Sequence, residues 1–176
     1  DLKLEITTLR KDVKTDGRHA EIEYTENWQE DSNRRDFTIN AIYLDINGKI
    51  FDPQSGVLDL KNRIVKFIGD PNKRIEEDYL RILRFIRFSL EYSSAIDKST
   101  VKAVKLNLDG IKKISKERIY SELLKILSLE NFLNINHNLS IKEVFAIIFP
   151  ELKYLKRLIR IHEVSKDYPL DKSILL

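Results

Sequence analysis

The sequence predicts an α+β region followed by an all-helical remainder in a chain of 176 residues. Before residue 70, short alternating runs rich in Ile, Thr and Val are separated by Gly, Pro, Asp and Asn, which is the pattern of strands and turns. Beyond Pro71, apolar residues recur at helical spacing and few Gly or Pro interrupt them. The break at Gly69-Asp70-Pro71 therefore marks the expected change of fold class.

Composition favours a folded globular chain. Charged residues make up 34% and hydrophobic residues 42%, and the length allows a sizeable core in one or two domains. The absence of Cys excludes disulfides and thiolate metal sites and fits a reducing compartment, so we expect a cytoplasmic protein. No apolar run has the length of a membrane span, so no membrane partner is expected. The formal net charge of +3 is too small to indicate nucleic-acid binding by itself.

The elements of the N-terminal part follow from alternation and breaks. Strands are predicted at residues 2–9, 20–24, 38–44 and 64–68, with a hairpin turn at 45–48 that returns through 49–51, and a helical turn at 57–62. Residues 10–18 are polar and contain Gly, so a mobile loop is predicted there, followed by a polar turn through Trp28 and Asp31. His19 is interpreted as a loop or packing residue, because a lone His is weak evidence for a general base.

The stretch from Glu76 to Phe88 is the predicted centre of the fold, because it lacks Gly and Pro and is rich in helix formers. One broad arc is apolar and should face a core: Tyr79, Leu80, Ile82, Leu83 and Ile86. Asp78, Arg81 and Arg84 step by three along the opposite side, where neighbours can touch. Phe85 and Phe88 lie on this charged side too. A solvated face would not normally carry two phenylalanines, so we predict a helix buried nearly all round with its charges aimed into a pocket. The alternative is an ordinary amphipathic helix with surface ion pairs.

Three further helices are predicted, at residues 97–107, 115–128 and 141–149. Ser115 is a good N-cap, and Glu117 in the first turn suits the helix dipole. Four Asn residues between 131 and 138 predict a loop. Residues 97–118 carry seven basic side chains against three acidic ones. This segment is either an RNA contact or a solvated face.

Five motifs occur in one order along the chain: LEITTLR at 4–10, TDGRHAEIEY at 15–24, RRDFTINAIYLD at 34–45, FDPQSGVLDLKNRIVKFIGDP at 51–71 and RIEEDYLRILRFIRF at 74–88. Together they resemble the tRNA nucleotidyltransferase and bacterial poly(A) polymerase family, the class II CCA-adding enzymes of the polymerase-β-like superfamily. The resemblance covers about residues 2–128, and residues 114–119 resemble the last neck motif of the family. Residues 129–176 match less sharply.

The resemblance implies three parts. Residues 1–60 would be the C-terminal part of a nucleotidyltransferase head domain, residues 61–128 a neck that recognises the nucleotide base, and residues 129–176 the start of a helical body that holds the tRNA. The chain begins inside a strand of the family pattern, at Asp1 and without an initiator Met. We therefore expect a fragment of a longer enzyme.

The resemblance also implies a nucleotide-binding set: Arg35, Asp36, Asp78, Arg81, Arg84 and Arg87. Asp36 matches the acceptor of the ribose hydroxyls, and Arg35 matches a triphosphate contact, with Arg34 the less certain of the two. Asp78 and Arg81 match the base-reading pair, whose donors and acceptor suit the edges of cytosine and adenine but not those of guanine or uracil. Arg84 and Arg87 match further nucleotide-binding arginines, although Arg87 could instead brace the fold through a buried ion pair.

The implied reaction transfers CMP and AMP from CTP and ATP to the tRNA 3′ end with Mg²⁺. No Asp-x-Asp pair and no Gly-rich phosphate turn occur in the sequence. We therefore assign no catalytic residue and no metal ligand, expect the Mg²⁺ ligands N-terminal to this chain, and expect the chain alone to be inactive. Oligomeric state is not predicted.

Several alternatives remain open. A bacterial poly(A) polymerase, or a CC-adding or A-adding enzyme, would use the same site, although Tyr79 in Glu-Asp-Tyr-Leu-Arg looks more like the CCA-adding branch. Hypotheses of another class are a non-catalytic nucleotide- or RNA-binding module and a purely structural helical domain. The last of these leaves the ordered row of Asp and Arg unexplained.

Overall fold

The computed structural model describes residues 8–15, 20–92, 95 and 97–152. Most of the strand predicted at residues 2–9, together with His19 and residues 153–176, lies outside the described residues. No described helix is long and apolar enough to cross a membrane.

Short strands precede a series of helices. The strands are β1 (Arg10–Thr15), β2 (Ala20–Tyr24), β3 (Tyr43–Leu44) and β4 (Ile50–Phe51), which form the antiparallel hairpins β1–β2 and β3–β4. The α-helices are α1 (Trp28–Asn33), α2 (Gly56–Lys61), α3 (Pro71–Glu77), α4 (Leu80–Glu91), α5 (Lys98–Leu106), α6 (Lys116–Leu127) and α7 (Leu139–Ile148). 3-10 helices lie at Thr38–Asn40, Leu108–Lys113, Glu130–His137 and Pro150–Leu152. The predicted α+β part followed by an all-helical part is confirmed.

Helix α4 lies at the centre of the core, where it packs against α6 and the 3-10 helix Glu130–His137. Ile82 and Ile86 are fully buried, and Phe85 and Phe88 on the charged side are buried as well. The prediction of a helix buried nearly all round is therefore confirmed. Phe37 joins the α+β part to this core, because its ring centroid lies 5.5 Å from that of Phe88.

The prediction of one unbroken helix from Glu76 is wrong, because the helix is interrupted at Asp78. Asp78 has an extended backbone, with φ −156° and ψ 105°, and separates α3 from α4. Its Oδ1 accepts the backbone N–H of Leu80 at 3.1 Å, in the manner of a short polar side chain that caps a helix start. Asp78 therefore does not share a helical row with Arg81 and Arg84, and its side chain is free to point elsewhere.

Two N-terminal predictions are also wrong. The mobile loop predicted at residues 10–18 contains β1, in which Arg10 lies opposite Tyr24 and Thr15 opposite Ala20. Cross-strand pairing here overrides a polar composition that would otherwise favour a loop. The turn predicted through Trp28 and Asp31 is helix α1, whose start is capped by Asn27.

Predicted strands around Asp36 shorten for local reasons. The strand at 38–44 keeps only Tyr43–Leu44, because Thr38–Asn40 forms a 3-10 helix from which the Asn40 amide donates to Asp36. A Cβ on Gly56 would lie 2.1 Å from the Thr38 carbonyl oxygen, so α2 approaches this 3-10 helix closely. The strand at 64–68 is reduced to two isolated bridges.

Other predictions hold. The hairpin turn at 45–48 and the helical turn at 57–62 are confirmed, the latter as α2. The three C-terminal helices are confirmed as α5, α6 and α7, with Ser115 as the N-cap residue of α6. The loop predicted from the Asn-rich segment is wrong, because residues 130–137 form a 3-10 helix and Asn138 caps α7.

Candidate functional site

A cavity of about 580 Å³ opens between the α1 region and the start of α4. Its charged lining consists of six arginines and three aspartates: Arg10, Arg34, Arg35, Arg81, Arg84, Arg118, Asp12, Asp36 and Asp78. Leu80 and Phe88 add apolar surface. Since the positive side chains exceed the negative ones by three, the cavity suits an anionic ligand that also has an apolar or aromatic part.

Five of the six predicted site residues line this cavity, namely Arg35, Asp36, Asp78, Arg81 and Arg84. The sixth, Arg87, lies elsewhere. Its Nε donates to Glu122 Oε1 at 2.5 Å, and its guanidinium carbon lies 4.1 Å from the ring centroid of Phe88. These contacts are those of the bracing ion pair that the sequence left open as an alternative, and the nucleotide role of Arg87 stays a prediction.

One wall of the cavity is organised by Asp31, a fully buried side chain of α1. Its Oδ1 accepts from Nη2 of Arg34 at 2.6 Å, and its Oδ2 accepts from Nη2 of Arg35 at 2.9 Å. The Arg10 backbone N–H and the Tyr43 hydroxyl complete its partners. Burial alone would raise the pKa of Asp31, but these hydrogen bonds outweigh it and lower the pKa to about 2.

Asp36 lies on the same wall and is 7% exposed. Its Oδ2 accepts from Arg84 Nε at 2.5 Å, and its Oδ1 accepts from the Asn40 amide at 3.0 Å. Burial again opposes ionisation, yet the hydrogen bond and charge of Arg84 keep the pKa of Asp36 below its usual value. Asp36 is therefore an ionised acceptor held between the α+β part and α4.

Asp78 and Arg81 both line the cavity, and the Arg81 backbone N–H donates to the Asp78 carbonyl at 3.0 Å, but within the described residues their side chains bond to other partners. Asp78 Oδ2 accepts from Arg118 of α6 at 2.7 Å. Arg81 Nη1 donates to Glu77 Oε2 and to the Arg74 carbonyl, each at 2.6 Å. The base-reading pair implied by the resemblance thus comes from two sides of the break between α3 and α4, and each member has its own protein partner.

Arg74 connects the two sides of the cavity. Its Nη2 donates to the carbonyl oxygens of Arg34, at 2.8 Å, and Arg35. Its Nη1 donates to Glu77 at 2.5 Å, the carboxylate that also binds Arg81. Burial and the nearby charge of Arg81 lower the pKa of Arg74. Hydrogen bonds through Arg74 therefore connect the two sides of the cavity directly.

Comparison with known proteins places this chain in a family. A model of the poly(A) polymerase head domain matches residues 1–66, and a model described as the probable RNA and SrmB-binding site of polymerase A matches residues 95–156. Mitochondrial CCA tRNA nucleotidyltransferase 1 of Mus musculus is 48% identical over 139 residues, which cover 76% of this chain and 31% of that protein. The chain belongs to the tRNA nucleotidyltransferase and poly(A) polymerase family.

Solved structures of the family share the fold. The Bacillus stearothermophilus CCA-adding enzyme in complex with CTP matches with a TM-score of 0.64 and 35% identity, over 72% of this chain and 30% of that one. The Thermotoga maritima CCA-adding enzyme complexed with tRNA matches with a TM-score of 0.59 and 28% identity, over 70% and 31%. The chain thus spans about a third of the length of these family members.

The carboxylates of this family member do not form a metal site in the part described. Among residues 8–15, 20–92, 95 and 97–152, no group of three His, Cys, Asp or Glu side chains is placed to hold a metal ion. Asp31 and Asp36 are instead saturated by arginine, amide and hydroxyl donors. We therefore assign Mg²⁺ to none of these residues.

Sequence reasoning missed Asp31, Arg74 and Arg118. Asp31 stands three residues before Arg34 and four before Arg35, which is the ion-pair spacing of a helix face. That signal was available but required α1, which the sequence did not predict. Arg74 and Arg118 act across 40 residues of sequence, and no local pattern marks such a contact.

Proposed function

We propose that this chain is the nucleotide-reading part of a CCA-adding enzyme, which transfers CMP and AMP from CTP and ATP to the 3′ end of tRNA without a nucleic-acid template. The observation that carries the proposal is the cavity that gathers six arginines with Asp36 and Asp78. The family relatives support the same activity, since those compared above are named as CCA-adding enzymes or CCA tRNA nucleotidyltransferases.

The wall that contains Arg34, Arg35 and Asp36 suits the sugar and phosphates. Guanidiniums bind phosphate oxygens with paired N–H donors, so the two arginines would hold the triphosphate. Asp36 is an ionised acceptor and would receive a ribose hydroxyl that a deoxynucleotide lacks. Arg84 binds Asp36 directly and would orient that carboxylate.

Asp78 and Arg81 would read the base. Cytosine presents acceptors at O2 and N3 and a donor amine, and adenine presents an acceptor at N1 and a donor amine. A guanidinium together with a carboxylate can complete either edge, whereas guanine and uracil would leave a donor or an acceptor unpaired. Since Asp78 accepts from Arg118, Arg118 joins the groups that a bound base would meet.

In the proposed reaction, the RNA 3′-hydroxyl oxygen bonds to the α-phosphorus and pyrophosphate leaves. Two Mg²⁺ ions would activate that hydroxyl and stabilise the leaving group when bound, and we expect their ligands outside the residues described. The contribution of this chain is to bind the nucleoside triphosphate, to orient it and to select its base. Residues 1–60, 61–128 and 129–176 are proposed as head, neck and start of the body. Cytoplasmic localisation stays a prediction, and the mouse relative is named as mitochondrial.

Two assays test the proposal. In equilibrium titrations, the chain should bind CTP and ATP more tightly than GTP and UTP. Incubated with tRNA that lacks its terminal CCA, radiolabelled CTP and ATP, and Mg²⁺, the chain alone should yield no extended product. Failure to bind any nucleoside triphosphate would contradict the proposal, and robust incorporation would contradict the expectation that catalytic groups lie outside it.

The nearest alternatives use the same cavity. A poly(A) polymerase or an A-adding enzyme should bind ATP and discriminate against CTP, and a CC-adding enzyme should do the reverse. A non-catalytic module should bind nucleotide but stay inactive in the context of the longer enzyme. The titration and the addition assay with the longer enzyme separate these cases.

A further inference from the structure

We infer that Asp31 is a positioning residue, which holds the guanidiniums of Arg34 and Arg35 side by side so that both present their remaining donors to a triphosphate. This inference rests on the proposed function, because it deepens the role of the phosphate wall. Asp31 itself does not line the cavity, whereas both arginines do. Its action would therefore be indirect.

Each oxygen of the Asp31 carboxylate binds one of the two arginines. Oδ1 accepts from Nε and Nη2 of Arg34, at 2.9 and 2.6 Å, and Oδ2 accepts from Nε and Nη2 of Arg35, at 3.1 and 2.9 Å. Each guanidinium thus uses the same edge for Asp31. The four bonds to Asp31 use Nε and Nη2 and leave Nη1 of each arginine unused, although the Arg35 guanidinium also interacts with the Tyr43 hydroxyl. Nη1 of Arg34 is therefore a donor that a ligand in the cavity can use.

Charge explains why the carboxylate is needed. Two guanidiniums at adjacent positions repel each other, and the repulsion grows as water is excluded. One buried carboxylate between them offsets that repulsion and leaves one positive charge in excess for the ligand. Arg34 and Arg35 remain partly exposed, at 15% and 33% of their side chains, whereas Asp31 is fully buried. The negative charge of Asp31 therefore lies in the interior, and the positive charges of Arg34 and Arg35 lie at the cavity.

Two other elements, β1 and β3, fix Asp31 in place. The Tyr43 hydroxyl from β3 donates to Oδ2 at 2.8 Å, and the Arg10 backbone N–H from β1 donates to Oδ1 at 3.1 Å. Arg34 Nε also donates to the Arg10 carbonyl at 3.0 Å. Because Asp31 is held from β1, β3 and its own helix, the two guanidiniums are oriented before any nucleotide arrives.

The competing interpretation is that Asp31 only ties β1 to α1. It predicts that losing the charge would lower stability and reduce the binding of every ligand alike, in proportion to the folded fraction. The positioning role predicts a selective loss for ligands with several phosphates. The comparison of CTP with CMP separates the two, because both share the base, the ribose and the α-phosphate.

The experiment titrates the 176-residue chain with CTP and with CMP, as wild type and as Asp31→Asn, below the melting temperature of both. We expect Asp31→Asn to raise the Kd for CTP by about tenfold and to change the Kd for CMP by much less. Charge-assisted hydrogen bonds are about twice as strong as neutral ones, and a loss of about 1.4 kcal/mol corresponds to a tenfold change in Kd. Asp97→Ala is the matched control. Asp97 caps α5 away from the cavity, so this variant should lose stability without changing the ratio of the two Kd values.

A double-mutant cycle with Arg35→Ala tests whether Asp31 acts through the arginine. Asp31→Asn should weaken CTP binding less in the Arg35→Ala background than in wild type, and the loss that remains should act through Arg34, which Asp31 also holds. If Asp31→Asn does not fold, Arg35→Lys decides instead, because it keeps the charge and leaves Asp31 in place. An Arg35→Lys variant that binds CTP as weakly as Arg35→Ala supports a positioned guanidinium, and one that binds like wild type overturns it.

A folded Asp31→Asn variant with an unchanged ratio of CTP to CMP affinity also overturns the inference, while normal CTP binding by wild type leaves the proposed function intact. If wild type itself binds no CTP, the proposed function fails, and the inference fails with it.

Discussion

Two fully buried carboxylates, Asp31 in α1 and Glu122 in α6, stand in similar surroundings but hold different partners. Asp31 accepts from Arg34 and Arg35. Glu122 accepts from Arg87 at 2.5 Å and from Lys125 at 3.3 Å. Both arginines on Asp31 line the cavity, and neither basic partner of Glu122 does.

The difference shows that burial and ion pairing alone do not identify a functional carboxylate. What distinguishes Asp31 is the direction in which its partners present their remaining donors. Arg87 Nε donates to Glu122, and Arg87 Nη1 forms an ion pair at 3.5 Å with Glu91 Oε2 of its own helix, without a hydrogen bond. It thereby clamps α4 to α6 in the core, where a buried ion pair that loses one member is strongly destabilising.

The largest expected effect is a loss of stability when the Arg87 partner of Glu122 is removed. Arg87→Ala should lower the free energy of unfolding by about 3 kcal/mol, because Glu122 would keep a buried charge and, among the described residues, the half-exposed Lys125 would be its remaining ion-pair partner. Urea denaturation at neutral pH measures the loss. Lys112→Ala removes the same charge from a fully exposed pair with Asp109 and should have no measurable effect. If Arg87→Ala keeps wild-type stability but loses CTP affinity, Arg87 belongs with the nucleotide-binding residues that the resemblance implied.

A second test concerns Asp36. This carboxylate is buried, as Glu122 is, but it also lines the cavity, as Arg34 and Arg35 do. In the complete enzyme, Asp36→Ala should reduce the preference for CTP over dCTP by about ten- to a hundredfold, because the ribose 2′-hydroxyl loses a charged acceptor. Incorporation of the two nucleotides in competition measures this preference. An unchanged preference would assign Asp36 a structural role alongside Glu122.

A smaller effect distinguishes Asp31 by pH. The pKa of Asp31 is lowered from 3.8 to about 2, so the folded state favours the ionised form. The resulting stability is fully present above pH 4 and is lost as the pH falls through about 2, to a total of about 2 kcal/mol. Asp31→Asn cannot titrate and should show a shallower loss of stability between pH 4 and 2 in urea denaturation. Identical acid profiles for the two proteins would contradict the hydrogen-bonding account of Asp31.

Local pattern was enough to predict the elements on which the core depends. Apolar spacing after Leu80 gave α4, and the two phenylalanines among its charges indicated burial on both sides. The break at Asp78 escaped prediction because Glu77-Asp78-Tyr79 contains neither Gly nor Pro, and an Asp mid-stretch reads equally as a helix residue or a cap. The resemblance, rather than periodicity, selected the residues that line the cavity.

The parts that sequence reasoning missed depend on contacts distant in sequence. β1 is polar and is stabilised by pairing with β2, and Asp31 acquires its role only when α1, β1 and β3 meet. Arg118 reaches Asp78 across 40 residues. Tertiary packing of this kind overrides local propensity and leaves no periodic signal in the sequence.

The most direct test of the central claim, that this cavity reads the base, is competition among all four nucleoside triphosphates for wild type and Arg81→Ala in the complete enzyme. Losing the guanidinium should raise UTP and GTP incorporation relative to CTP and ATP by about ten- to a hundredfold, since each unpaired group at the base edge is worth about 1–3 kcal/mol. A thermal melt run beside it checks that the variant is folded. If Arg81→Ala melts normally and keeps its preference for C and A, Arg81 only pairs with Glu77 and does not read the base.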